Sequence, residues 1–109
     1  MDKRIFAFVS INDLRNNIDT ISIEGSVPQR YIKEYHDSLD ILEAYGIDID
    51  FFRIPDSEIK RRYLTFVGKV KYTDAKYAPK ALLIAKIDAL LTYLKINNSS
   101  LHPQGSKGR

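Results

Sequence analysis

With 109 residues, 44% of them hydrophobic and 28% charged, the chain has the size and composition of one globular domain able to bury a core without covalent staples. It holds no cysteine, which excludes disulfides, thiolate metal sites and thiol nucleophiles. The net charge of +3 is unevenly divided: residues 1–54 carry 6 Lys/Arg against 10 Asp/Glu and residues 55–109 carry 11 against 4, so the halves stand at −4 and +7. Such polarity either draws a polyanion or acidic partner to the second half, lets copies associate head to tail, or is compensated within the fold.

At the start of the chain a basic pair, Lys3-Arg4, precedes the apolar run Ile5–Val9, which Ser10, Asn12 and Asp13 interrupt. That run is too short for the apolar core of a secretory signal, and no stretch approaches the roughly 20 apolar residues of a membrane-spanning helix. A cytoplasmic domain with no membrane partner is expected. From Ser10 to Ile21, Ile11, Leu14, Ile18 and Ile21 recur on one side of a helix that Ser10 can cap, whereas Ile5–Val9 and Ile21–Ile23 have strand-like composition.

The spacing predicts a helix from about Val27 to Tyr45. Ser26 with Gln29 three residues on forms a capping-box pattern, Pro28 fits the first turn, and Gly46 marks the end. Tyr31, Ile32, Tyr35, Leu39, Leu42 and Tyr45 make its apolar stripe. On the same helix His36, Asp40 and Glu43 fall within a narrow sector at i, i+4 and i+7. A metal or an oriented base is conceivable there, but the other histidine, His102, sits in the predicted tail, and an ordinary solvated face explains the sector better.

The connector Ile47–Pro55 is too apolar for a free surface loop. Ile47, Ile49, Phe51, Phe52 and Ile54 must cover the core or present a contact patch. Asp48, Asp50 and Asp56 lack the spacing and closing glutamate of a calcium loop. Beyond it, Ile59, Tyr63 and Phe66 at helical spacing, with Glu58 and Arg62 as an i,i+4 pair, predict a helix over 56–66. The nine residues between Gly46 and Asp56 are too many for a helix-turn-helix. Segment 64–72 fits either period: Leu64, Phe66, Val70 and Tyr72 alternate, while Ile59, Tyr63, Phe66 and Val70 are helical, and Gly68 weakens both.

A last helix is predicted from Asp74 or Ala75 to Ile96, with Asp74 as N-cap and a stripe of Leu83, Ile84, Ile87, Leu90, Leu91 and Leu94. Pro79 lies too deep for such a start, so the helix is kinked there or begins near Ala78. Residues 97–109, rich in Ser, Asn and Gly, form a polar tail after a single domain, 1–96. The expected fold is mainly α, a bundle of three to five helices; the alternative is α+β with a small sheet from about 4–9, 21–24 and 64–72.

No Gly-x-Ser-x-Gly elbow, P-loop or dinucleotide fingerprint occurs, so the sequence points away from an enzyme and implies no cofactor. The expected role is an interaction or regulatory module whose partner is another protein or a second copy, with Phe51, Phe52, Ile54, Lys60, Arg61 and Arg62 as the contact surface. The alternative is a nucleic-acid-binding protein. Lys60-Arg61-Arg62-Tyr63, then Lys69, Lys71, Tyr72, Lys76, Tyr77 and Lys80, interleave phosphate-neutralising cations with rings that can stack on bases. An enzyme with an unrecognised site ranks third.

Overall fold

A computed structural model describes residues 2–101, with side chains as far as residue 96. Helix α1 spans Lys3–Ile21, strand β1 Ser26–Pro28, helix α2 Gln29–Ala44, strands β2 Lys60–Phe66 and β3 Lys69–Pro79, and helix α3 Lys80–Leu101. Two 3-10 turns, Asp50–Phe52 and Asp56–Glu58, lie in the connector. The fold is thus α+β and not a helical bundle alone, with a three-stranded antiparallel sheet of order β1-β3-β2 to which 64–72 contributes, while 21–24 supplies only an isolated bridge, Ile23 to Ser26. No helix among the described residues is long and apolar enough to cross a membrane.

Helix α1 begins before Ser10 because Asp2 caps it, accepting from the Arg4 N–H at 2.9 Å. Ala7, Ile11 and Ile18 are buried and Leu14 and Ile21 half-buried, one continuous i, i+4, i+7 stripe. Segment 4–9 is therefore helix and not strand. Ile5, Phe6, Phe8 and Val9 lie off the stripe and stay exposed, which is why the run has no visible helical period.

The chain then reverses through Glu24 and Gly25, both with positive φ, into β1. This corrects the capping box: Ser26 is a buried strand residue paired with Pro79, and α2 starts after Pro28 with no side-chain cap. Fully buried Val27 and the ladder to β3 outweigh the local cap preference. At the other end the Gly46 N–H donates to the Glu43 carbonyl and the Ile47 N–H to that of Leu42, the paired bonds of a Schellman stop, with Gly46 at φ 86°.

Residues 60–79 form a β-hairpin, correcting both the helix over 56–66 and the helical start at Asp74 or Ala75. Phe66 faces Lys69 across a two-residue turn, Val67-Gly68, at φ 52° and 75°. Two consecutive positive φ values define the type I′ geometry that matches strand twist. Pro79 ends the strand and α3 begins at Lys80, so the proline kinks no helix. Backbone helix continues to Leu101, into the first residues of the predicted tail; the rest of that tail, His102 included, lies outside the described residues.

One core joins the three helices, the connector, β1 and β3. Leu83, Ile87, Leu90 and Leu94 of α3 meet Ile32, Tyr35, Leu39 and Leu42 of α2, with α1 packed alongside and Val27 and Ala78 contributed by the sheet. Arg15 and Asp88, 2.9 Å apart, tie α1 to α3, and Lys80 pairs with Asp19.

Candidate functional site

The apolar connector closes the core. Ile49, Phe52 and Ile54 are 0%, 6% and 2% exposed, so Phe52 and Ile54 are core residues and not the contact anchors expected of them. Burying each such side chain stabilises by about 1.5–3 kcal/mol, which settles where these residues go. Four polar contacts hold the segment: the Tyr35 hydroxyl donates to the Phe52 carbonyl at 2.7 Å, the Ile54 N–H to His36 Nε2 at 3.0 Å, and Lys86 Nζ to the Phe51 carbonyl at 2.6 Å, while Arg53 pairs with Asp40. The sector His36, Asp40 and Glu43 is thereby employed in anchoring the connector, Glu43 lying 3.9 Å from Arg53. Burial chiefly, and Arg53 secondarily, hold His36 below its ordinary imidazole range, against Asp40, Asp56 and Asp37. Phe51 alone of the apolar trio is exposed, its ring under Lys86 Nζ at 4.2 Å.

Lys60, Arg61 and Arg62 belong to a different surface, the hairpin. Opposite Arg62 the register slips, and β3 bulges around Thr73. The buried Thr73 hydroxyl accepts from the Arg62 N–H at 3.0 Å and lies 2.9 Å from the Arg62 and Ala75 carbonyls, so it fixes the bulge. The bulge in turn fixes Arg61. Its Nε donates to the Thr73 carbonyl at 2.8 Å, its Nη2 lies 3.3 Å from the Asp74 carboxylate, and its guanidinium sits 4.6 Å over the Tyr72 ring. Arg62 is turned inward, Nη2 toward the Glu58 carbonyl and Nε buried without a partner among the described residues.

Register assigns the two faces of the ribbon. Tyr63 opposite Tyr72 and Thr65 opposite Val70 share one; Leu64 opposite Lys71 and Phe66 opposite Lys69 share the other. Leu64, on the second face, is buried, and the Thr65 N–H donates to Glu24, which tethers the hairpin to the turn before β1. The first face is open: Tyr63 is 71%, Val70 70% and Tyr72 49% exposed. The Tyr63 and Tyr72 rings lie 4.7 Å apart, tilted at 46°, so Arg61, Tyr72 and Tyr63 form a contiguous row.

Charge separates in space as it does in sequence. Strands β2 and β3 carry six Lys/Arg against Asp74 alone, and Lys60, Lys69, Lys71 and Lys76 make no ion pair among the described residues. By contrast, Arg53 and Lys33 are paired with acids of α2 and the connector. Sequence reasoning named Lys60 to Tyr63 and Tyr72 but not the bulge that gathers them, since Thr73 carries no local signal. No known protein family, curated protein or solved structure matches the chain.

Proposed function

We propose that this domain binds nucleic acid through the β2–β3 hairpin. The observation that carries the reading is the exposed Arg61–Tyr72–Tyr63 row on a ribbon whose four lysines have no acidic partner among the described residues. Unpaired ammonium groups neutralise phosphates and release counterions, and a guanidinium beside tyrosine rings supplies surfaces for bases or sugars. The burial of Phe52 and Ile54 removes two anchors from the rival apolar interface and so supports the same preference.

Fluorescence anisotropy against a labelled oligonucleotide over a series of salt concentrations tests this. Affinity should fall steeply with salt, and replacing Lys69 and Lys71 together by Gln should flatten the slope by roughly 1.4 on a single strand. An absence of binding even at low ionic strength refutes the reading.

A second reading, association with another protein or a second copy, is favoured by Ile5, Phe6, Phe8 and Val9 of α1, which are 40–59% exposed beside the α1–α2 groove lined by Phe6, Leu14 and Ile41. Light scattering over a concentration series distinguishes a self-associating chain from a monomer.

A further inference from the structure

Resting on the nucleic-acid reading above, the geometry points to an unpaired base as the ligand of Tyr63, so that the hairpin selects single strands over duplex. A two-stranded ribbon can also enter the major groove of duplex DNA, where it reads base edges with Arg, Lys, Asn or Gln side chains. The exposed face here is built otherwise. Beyond the bulge, toward the hairpin tip, it presents Tyr63, Thr65, Val70 and Tyr72, with no amide side chain and no lysine, because Lys69 and Lys71 stand on the opposite face by register and Lys76 lies on the other side of the bulge, opposite Arg61.

Of the two cations that register aligns with that face, Arg61 and Lys76 opposite it, Arg61 has Nε engaged by the Thr73 carbonyl, Nη2 near Asp74 and its guanidinium over the Tyr72 ring. It therefore stiffens the platform, with Nε and Nη2 already engaged by β3. Tyr72 is engaged by both Arg61 and Tyr63, whereas Tyr63 touches Tyr72 and remains 71% exposed, so it is the open end of the row. A ring face of this kind is complementary to the π-face of a base, which a duplex keeps inside its own stack and a single strand offers freely. Lysines on the far face of so narrow a ribbon suit a flexible backbone that wraps its edge, and unlike a rigid duplex a single strand can do both at once.

The test measures anisotropy of the full chain with a short labelled DNA strand of mixed sequence, the RNA strand of the same sequence, and the annealed duplex at one fixed salt concentration. At least one single strand should bind about 10-fold or more tightly than the duplex, and the ratio of the DNA and RNA arms identifies which backbone is preferred. Tyr63→Ala should weaken the single-strand complex by about 5- to 150-fold, the range for one stacked base, with Tyr63→Phe close to the parent. Tyr63→Thr, which removes the ring but keeps a strand-forming residue, guards against loss of the hairpin and should weaken binding equally. Equal affinity for duplex and single strands, or a folded Tyr63→Thr variant that binds like the parent, overturns the stacking inference. If the Lys69→Gln/Lys71→Gln variant is weakened in that case, phosphate binding survives; binding of no oligonucleotide overturns both.

Discussion

Removing a single oxygen from the core tests whether the connector is held as a fixed cover. Tyr35 is 1% and Phe52 6% exposed, and the Tyr35 hydroxyl donates to the Phe52 carbonyl at 2.7 Å. Tyr35→Phe keeps the ring and its packing but leaves that carbonyl oxygen without its donor where water has no access. The cost of such an orphaned acceptor is about 1–3 kcal/mol, larger than the bond's own net value because desolvation is no longer compensated. With a urea m-value near ~1.5 kcal/mol/M for a domain of this size, the midpoint should drop by roughly 1 M at unchanged m. The buried hydroxyl also has a signature at high pH. Burial holds the Tyr35 phenol above its ordinary value near 10, so the unfolded chain releases that proton first. Stability is then complete below pH 10 and declines as pH rises beyond it, a component that Tyr35→Phe lacks. A midpoint within error of the parent would falsify the picture of a connector pinned from beneath, whatever the alkaline behaviour.

Two further outcomes probe the connector and the hairpin turn. His36 accepts the Ile54 N–H on Nε2 and is held below its ordinary value of 6.5, so its contribution is complete above pH 6.5 and is lost as pH falls below it. Unfolding free energies taken from denaturant curves between pH 7.5 and about 5 should fall for the parent by up to about 1 kcal/mol, the worth of one such bond, and more shallowly for His36→Gln; parallel curves contradict the assignment. At the hairpin tip Val67 is a β-branched residue at φ 52°, a conformation costing a non-glycine residue about 1–2 kcal/mol, and it is fully exposed. Val67→Asn should therefore raise stability by about 1 kcal/mol and Tm by several degrees in a calorimetric scan, since Asn-Gly is the preferred pair for this turn; a lower Tm means the turn is of another type.

The amino-acid order by itself determined the long helices and the destination of their apolar faces. The α2 and α3 stripes repeat over several turns, and Gly46 stops α2 through backbone freedom, so local chemistry suffices. It also marked the connector as too apolar for solvent, the basic run at 60–62 and Pro79 as a difficulty for a helix started at Asp74, without showing that 74–79 is strand. Only tertiary structure decided the sheet. Ile59, Tyr63, Phe66 and Val70 fit the helical period while Leu64, Phe66, Val70 and Tyr72 fit the alternating one, and the choice falls to cross-strand pairing with 69–79, a non-local term no window contains. Ser26 likewise reads as a cap until Pro79, far along the chain, pairs with it. The same holds for the surface: Phe51 and Phe52 are alike in sequence, yet the Phe51 ring is exposed under Lys86 while the Phe52 ring is buried beside Tyr93, because a 3-10 turn points neighbouring side chains in different directions. The row of Arg61, Tyr72 and Tyr63 exists only where a bulge at Thr73 brings two strands into register, which is why composition could name its members but not assemble them.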